Sequence, residues 1–274
     1  MLIIDTHAHI YSSDDRRYPP IPKPLRPPGG NAAVEDLKKT CDVNGVTHAC
    51  LVQTSSYYGF DNRYLCDAAK ANSTWAAGIC TLNPDDPHSP GLLQHYARNY
   101  NVKGMRSIPA RSGKLDDAGV RALWKAADGL GIVINVLVSR DKTEEVDRLA
   151  GLFPKLRVVL DHCLNLKKGG DYDATLADLL RLARRPNLHA KLTFLATGSD
   201  QPFPCEAMHA ACVKIVEAYG AERCVWGSDF PNALWTPKVS YREYLRLFTE
   251  VLPFSASARE GILGKTAERL WFRP

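Results

Sequence analysis

The sequence lacks several features that would place it in a specialised class of protein. It has no CxxC pair among its eight cysteines, no internal repeat and no low-complexity tail. No apolar run approaches the roughly 20 residues that span a bilayer. No glycine-rich phosphate loop follows the first apolar run, where residues 6–9 read Thr-His-Ala-His instead. These absences argue against a thiolate zinc site and a transmembrane helix, and they predict a soluble globular protein without a membrane partner.

The composition is that of an ordinary globular domain. The chain has 274 residues, of which 45% are hydrophobic and 24% charged, and this length is enough to bury a sizeable core. We expect one domain over residues 1–274, because α/β barrels of this size usually form a single unit. The net charge is +5, with basic residues scattered along the chain. This suits a small anionic substrate and does not indicate nucleic-acid binding.

The cysteines indicate a reducing compartment. Cys50, Cys80 and Cys224 lie inside apolar runs that resemble strands. The N-terminal residues show neither the basic region nor the long apolar region of a signal peptide. We therefore expect reduced, buried thiols and a cytoplasmic location.

Short apolar runs alternate with amphipathic stretches along the whole chain. Eight runs are predicted to be strands: Leu2–Thr6, His48–Thr54, Trp75–Leu82, Val102–Ser107, Ile132–Val138, Arg157–Asp161, Leu188–Phe194 and Arg223–Ser228. Helices are predicted between them, among others at Glu35–Asn44, Asn62–Asn72, Val120–Leu130, Lys142–Leu152 and Cys205–Tyr219. Strands that alternate with helices imply a parallel sheet, and eight such units predict a single (β/α)₈ TIM barrel. An open doubly wound sheet is the alternative, but it more often carries a glycine-rich loop after its first strand.

One segment stands out by its composition. From Tyr11 to Asn31 the chain carries six prolines directly after the first predicted strand. A long loop inside a compact domain is usually functional or disordered, and proline makes it stiff. We expect a Pro-rich loop that partly covers the barrel mouth; a surface excursion without function is the alternative.

Two histidines stand two residues apart at the end of the first predicted strand, in the run Asp-Thr-His-Ala-His at positions 5–9. Side chains alternate along a strand, so His7 and His9 point the same way. Barrel active sites lie at the C-terminal ends of the strands, where two imidazoles can converge on one divalent cation. The alternative is a pair of polar residues satisfied by hydrogen bonds.

Two further strands end in residues suited to chemistry. His162 follows the sixth predicted strand and is expected on the same face as Leu160. Asp229 follows the eighth, and Pro231 stops the ladder there, so the carboxylate is presented at the mouth. An aspartate beside a metal or a histidine cluster is a natural general base for water. The alternatives are a structural histidine and an aspartate that caps the next helix.

Three segments in this order, DTHAHI, LDHCLN and WGSDFP, resemble the signature positions of the amidohydrolase superfamily and of its amidohydrolase-2 branch. The stretches QTSSYYGFDNRYLCDA, VKGMRSIPA and HAKLTF are similar to the group that contains 2-pyrone-4,6-dicarboxylate lactonase and sugar-acid lactonases. The resemblance covers essentially the whole chain. It implies a barrel hydrolase with His7, His9, His162 and Asp229 in its active site.

The resemblance implies one metal ion at most. Binuclear members use a lysine on strand 4 and a histidine on strand 5, whereas residues 104–106 read Gly-Met-Arg and residues 136–139 read Val-Leu-Val-Ser. One divalent ion remains possible, with zinc the first choice for imidazole and carboxylate ligands. Its predicted ligands are His7, His9, His162 and Asp229. Because the pyrone dicarboxylate lactonase branch works without metal, a metal-free site is the alternative.

Substrate-binding residues are expected around the same mouth. Arg106 and Arg111 look like the carboxylate clamps of the lactonase group. Lys191 alternates with apolar residues and should face the barrel interior, where it needs an anion from the substrate or from a neighbour such as Asp5. Tyr57, in the loop after the second strand, is a further candidate for the pocket wall. An arginine carried by the pyrone dicarboxylate lactonase after strand 7 is absent from LTFLATGSDQ, which argues against that particular substrate.

The sequence therefore predicts hydrolysis of a lactone that bears a carboxylate. Asp229 would accept the proton of the attacking water, while His7 and His9, directly or through zinc, would polarise the carbonyl. His162 would orient the substrate or assist proton transfer. The alternatives are a metal-dependent non-oxidative decarboxylase of the same branch and a barrel that binds a ligand without catalysis. A homo-oligomer is possible, since barrels of this type often self-associate.

Overall fold

The computed structural model describes residues 1–29 and 32–273, and its eight parallel strands form one sheet in sequence order. Strands β1 to β8 are Ile4–Ala8, His48–Val52, Ala76–Thr81, Val102–Ser107, Val133–Val136, Val158–Leu160, Leu188–Lys191 and Cys224–Val225. Every predicted strand overlaps one of these, and β4 agrees at both ends. The first predicted strand has the length of β1 but lies two residues too early, and the other six are longer than the observed strands.

The sheet closes between β8 and β1. The backbone N–H of Thr6 donates to the carbonyl of Trp226 at 3.2 Å, and that of His9 donates to Phe230 at 2.8 Å. A parallel bridge also joins Ala8 to Phe230. These contacts confirm the predicted (β/α)₈ TIM barrel.

Helices surround the strands. The longer ones are Val34–Val43, Arg63–Ala71, Ser89–Asn99, Ala118–Leu130, Thr143–Leu152, Tyr172–Leu182, His209–Tyr219 and Tyr241–Arg246. Shorter helices are Ser55–Tyr58, Phe194–Thr197, Asn232–Trp235 and Ala256–Glu260, with 3₁₀ turns at Arg140–Lys142, Glu206–Met208 and Ala221–Arg223 and π turns at Leu247–Val251, Gly261–Lys265 and Glu268–Phe272. None of the helices within residues 1–29 and 32–273 is both long and apolar enough to cross a membrane.

Apolar side chains fill the barrel below the mouth. Alternate strand residues point inward and form one buried cluster, comprising Ile4, Cys50, Val52, Ala77, Ile79, Val133, Val159 and Val225. Leu270 and Trp271, from the C-terminal segment, complete this cluster. The remaining strand residues pack against the helices in a second, larger cluster. Toward the C-terminal ends of the strands the inward-facing residues become polar, as at Asn135, Asp161 and Lys191.

A bulge in β1 decides which of its residues face the interior. Asp5 lies opposite Ala49 of β2, but Ala8 lies opposite Leu51, so β1 carries one extra residue over this stretch. Such bulges are common next to active sites because they re-aim side chains. Here the bulge lets Ile4 and His7 both face inward, whereas Asp5 turns toward the helices.

Asp5 links the two sides of the seam, the junction between β1 and the segment after β8, on the outer side of the barrel. Its carboxylate accepts hydrogen bonds from the hydroxyl of Ser228 at 2.6 Å and from that of Tyr241 at 3.0 Å. The backbone N–H groups of Ser228 and His7 donate to the same carboxylate. Asp5, Ser228 and Tyr241 are called the seam latch below. The latch joins β1 to the segment after β8 that carries Asp229.

The described part of the Pro-rich loop, residues 11–29, lies against the loop after β2. The backbone N–H groups of Ile21 and Leu25 donate to the carbonyls of Tyr57 and Ser56. Tyr58 in turn accepts a hydrogen bond from the backbone of Ser12. The loop therefore braces the β2 loop, and its role as a partial lid stays a prediction. The end of the predicted segment, residues 30 and 31, lies outside the described residues.

Gly227 packs too closely to tolerate a side chain. An added Cβ would lie 2.7 Å from Cβ of His7 and 2.9 Å from its backbone nitrogen. Gly227→Ala should lower the free energy of unfolding by about 1–3 kcal/mol, the usual cost of overpacking. Gly129, inside the helix Ala118–Leu130, has nothing within 4 Å of such a Cβ. Gly129→Ala should therefore raise the free energy of unfolding by about 0.5–1 kcal/mol, and urea titration measures both variants. Equal effects of the two substitutions would contradict this account.

Candidate active site

The mouth of the barrel carries a compact group of two histidines and one aspartate. His7 lies in β1, His9 follows that strand, and Asp229 follows β8. Oδ1 of Asp229 lies 3.5 Å from Nε2 of His7 and 3.7 Å from Nε2 of His9. One ligand atom from each residue lies within 4.8 Å of the others, and all three residues are buried. By size and donor type, this group resembles a site for one divalent cation.

Asp229 is held at the mouth by its own backbone. Its φ of 60° is left-handed, a conformation that aspartate adopts more readily than most residues. Its N–H donates to the carbonyl of His7 at 2.8 Å. The next helix, Asn232–Trp235, is preceded by Pro231 as its N-cap residue, so Asp229 does not cap it. Burial raises the pKa of Asp229 to about 7, against the lowering effect of Arg106.

His162 reaches the mouth by a route that strand alternation does not predict. In an extended strand it would share the face of Leu160, which packs in the layer between strands and helices. Instead the four residues His162–Asn165 have φ values from 47° to 57°. This left-handed turn is unfavourable by roughly 1–2 kcal/mol per non-glycine residue. It corrects the predicted face of His162 and turns the ring toward His7, at 4.6 Å between ring centroids.

The imidazoles at the mouth are neutral. Burial lowers the pKa of His9 to about 3 and that of His162 to about 4. Nδ1 of His9 lies 3.0 Å from the carbonyl of Val52, so it carries the proton and leaves Nε2 as an acceptor. Nδ1 of His162 lies 2.7 Å from the hydroxyl of Thr193. Because this hydroxyl has no other acceptor among the described residues, we assign it as the donor, and Nε2 of His162 then carries the proton.

A buried carboxylate below the mouth, that of Asp161, forms ion pairs with two basic side chains. Asp161 accepts from Nζ of Lys191 at 2.9 Å, from Nε of Arg106 at 3.0 Å and from the amide of Asn135 at 3.1 Å. Burial alone would raise the pKa of Asp161, but the two cations bring it below its usual value. The sequence predicts Asp5 as a neighbour for Lys191. The correct partner is Asp161, because Asp5 alternates with the inward-facing Ile4 and lies on the outer side of the sheet.

Arg106 also contacts His7, which bears on metal binding. Nη2 of Arg106 lies 2.8 Å from Nε2 of His7, and a guanidinium can only donate. On the other side of the ring, Nζ of Lys191 lies 3.2 Å from Nδ1. Nε2 of His7 is therefore already engaged, and only His9 and Asp229 offer open ligand atoms. A zinc ion bound by all three residues would therefore have to displace Arg106 from Nε2 of His7.

A cavity of about 370 Å³ opens above this group. Its chemically active wall residues are His9, Arg106, His162 and Asp229. Hydroxyl, amide, apolar and aromatic residues complete the wall: Thr54, Ser55, Ser56, Leu137, Asn165, Thr197 and Trp235. The volume suits a small-molecule ligand.

Three predicted substrate-binding residues lie away from this wall. Lys191 is fully buried beneath His7 and is shielded from the cavity. Arg111 is exposed in the loop after β4 and is not part of the wall. The hydroxyl of Tyr57 bonds Asp15 and Arg26, because its ring points into the Pro-rich loop. Of the predicted substrate-binding residues, Arg106 alone lines the cavity.

Several residues of the site are absent from the sequence-based prediction. They are Asn135, Asp161, Thr193, Asn165 and Trp235. Asp161 could have been found, since it alternates with the inward-facing apolar residue two positions earlier in β6. Asn135 follows the inward-facing Val133 of β5 in the same way, whereas Asn165, Thr193 and Trp235 owe their positions to turns and loops beyond the strands.

The fold and the site together define a barrel enzyme of the amidohydrolase type. The family profile of the amidohydrolases, Amidohydro_2, matches residues 4–273, and the chain belongs to this family.

Among curated proteins, the chain is 28% identical to an L-fucono-1,5-lactonase of Burkholderia ambifaria over 235 residues, covering 83% of this chain and 80% of the relative. It is 25% identical to a D-galactarolactone isomerase of Agrobacterium fabrum over 248 residues, covering 89% and 81%. A Pseudomonas putida structure, described as a proposed 2-pyrone-4,6-dicarboxylic acid hydrolase, superposes with a TM-score of 0.82 at 27% identity over 98% and 97% of the two chains.

The pairing between Asp161 and Lys191 can be measured by a double-mutant cycle. Lys191→Met should lower the free energy of unfolding by about 3 kcal/mol, because it leaves a buried carboxylate short of one partner. Asp161→Asn should lower stability less when it is added to Lys191→Met than when it is made alone, because one unpaired buried cation then remains instead of two. Urea unfolding followed by tryptophan fluorescence gives all four values. Strictly additive losses would show that the two side chains do not interact.

Proposed function

We propose that this enzyme hydrolyses a small lactone, with Asp229 as the general base. The observation that carries the proposal is a buried carboxyl group with a pKa of about 7, located in the wall of a cavity of about 370 Å³. A base that titrates near neutral pH is suited to accept and later return a proton. The names of both curated relatives refer to lactones, which supports this class of substrate.

Water is activated on one side of the cavity. Nε2 of His9 is an acceptor 3.7 Å from Oδ1 of Asp229, so a water molecule can donate one proton to each. As the water oxygen attacks the lactone carbonyl, Asp229 takes the proton. The ring C–O bond then breaks, and the same proton passes from Asp229 to the departing ring oxygen. The balance is one water consumed and one hydroxy acid released.

The carbonyl is polarised from the other side. Nη1 of Arg106 makes no hydrogen bond to the described residues, although Nε and Nη2 of the same side chain are both engaged. It can therefore donate to the carbonyl oxygen as negative charge develops there. Nε2–H of His162 is a second donor. His7 positions Arg106 and does not itself hold the oxygen, which revises the role predicted for it.

The contact between Arg106 and His7 also supports a reaction that uses the protein side chains alone. Zinc, the metal predicted from the sequence, would act as a Lewis acid where it bound. Two of its predicted ligand atoms, in His9 and Asp229, are open, but Nε2 of His7 is engaged with a permanent cation. We therefore favour the metal-free alternative.

Product analysis separates hydrolysis from its alternatives. Hydrolysis adds the mass of one water, an isomerase leaves the mass of the lactone unchanged, and a decarboxylase releases carbon dioxide. The isomerase alternative follows from the name of one relative. The decarboxylase alternative is less favoured because both curated relatives are named for lactones. A barrel that only binds would give no product.

The cellular context remains a proposal. All eight cysteines are buried and free, which supports the predicted cytoplasmic location. The predicted homo-oligomer and the anionic character of the substrate stay predictions.

The pH dependence follows from Asp229. Below pH about 7 the carboxyl group holds a proton and cannot take one from water, so kcat/KM for lactone hydrolysis should fall about tenfold per pH unit. Asp229→Asn should lower kcat by about 10²–10⁴ and abolish this acid limb. Asp128→Asn, at an exposed position, is the control and should leave the profile unchanged. Near-normal turnover by Asp229→Asn would disprove the assigned base.

Metal binding can be tested by substitution of Arg106. Chelation of the purified protein should leave kcat/KM within about twofold, because no metal takes part. Arg106→Met frees Nε2 of His7 and should increase the affinity for zinc by more than tenfold, measured by calorimetry and elemental analysis. Arg106→Lys keeps a cation and is the matched control. Loss of activity on chelation, with recovery on added zinc, would refute the metal-free reaction.

A further inference from the structure

The left-handed turn His162–Asn165 brings two side chains to the cavity wall. Its first and last residues are three positions apart and lie close to one another on the same side of the turn, as they would in a right-handed helix. Both His162 and Asn165 line the cavity, while Cys163 and Leu164 between them are buried. The turn therefore presents Asn165 to a bound ligand together with a residue of the proposed reaction.

The amide of Asn165 is oriented by the loop after β5. Its Nδ2 donates to the hydroxyl of Ser139 at 3.1 Å and to the carbonyl of Val138 at 3.4 Å. The amide nitrogen has two protons, so it has one donor for each of these two acceptors. Oδ1 accepts no hydrogen bond from the described residues. Asn165 thus offers the cavity an acceptor and no donor.

The charged groups of the cavity wall also favour a ligand that donates a hydrogen bond to Asn165. Arg106 is the sole permanent cation among the described wall residues, and its charge is shared with Asp161. A substrate carboxylate is an acceptor only, so it gains nothing from Oδ1 of Asn165. A substrate hydroxyl can donate to that oxygen. The remaining polar groups of the wall are mostly hydroxyls, from Thr54, Ser55, Ser56 and Thr197, and a hydroxyl can both donate to and accept from a substrate hydroxyl.

We propose that Asn165 is a specificity-determining residue that accepts a hydrogen bond from a ring hydroxyl of the substrate. The substrate is then a hydroxylated lactone in preference to a carboxylated one. This inference rests on the proposed lactone site, and it assigns to Asn165 recognition of the substrate with no part in the chemistry.

The test measures binding separately from turnover. L-fucono-1,5-lactam, a hydroxylated ring that resists hydrolysis, is compared with unsubstituted δ-valerolactam by calorimetry. Asn165→Ala should weaken binding of the hydroxylated lactam about tenfold, the usual scale for one hydrogen bond, and leave δ-valerolactam within about twofold. Asn165→Asp keeps an acceptor at the same place and should retain at least a third of the affinity for the hydroxylated lactam.

The outcomes separate this inference from the proposed function. Equal losses for both lactams in Asn165→Ala would show a structural role and overturn the proposal. So would the absence of binding of the hydroxylated lactam to the wild-type protein, or tighter binding of 2-pyrone-4,6-dicarboxylate than of that lactam. Lactam binding that depends on Asn165, without hydrolysis of the corresponding lactone, would support the subsite and refute the hydrolase assignment alone.

Discussion

The arrangement of the mouth depends on one buried carboxylate. Asp161 holds Arg106 and Lys191 in the interior of the barrel, and both cations lie against the ring of His7. A carboxylate without these partners would be very unfavourable in such a place, and so would either cation alone. The burial of each of these three charged side chains therefore depends on the others. Asp161 thus fixes Arg106 as a donor below the cavity. Asp229 forms no ion pair with a Lys or Arg side chain among the described residues, and burial raises its pKa to about 7.

The sequence contains enough information for the fold and for part of the site. Eight apolar runs alternating with helical segments predict a barrel, and all eight strands are present. His7 and His9 could be placed because they lie at the end of a strand, where barrels keep their polar residues. Asp229 could be placed because a proline two positions later stops the ladder. These inferences succeed since they use periodicity and position, which are local properties.

The remaining features depend on geometry that periodicity does not encode. The β1 bulge shifts the alternation by one residue, so His7 faces Lys191 in the interior while Asp5 lies on the outer side of the sheet. The left-handed turn changes the direction of His162 and brings in Asn165, which carries no motif by which it could be recognised. Tyr57 lies in the expected loop, but the Pro-rich loop binds its hydroxyl. In each case a contact between distant parts of the chain decides where a side chain points.

The seam latch has a consequence for the motions of the enzyme. It joins residue 5 to residues 228 and 241, so one small hydrogen-bonded cluster connects the two chain segments that supply His7 and Asp229. Strand β8 has only two residues and few ladder bonds of its own. Amide exchange in this sector should therefore proceed through local opening at the latch, with the other strands still paired. In that open form Asp229 would separate from His7 and His9. The enzyme would then lose activity through opening of the seam while the rest of the barrel stays folded.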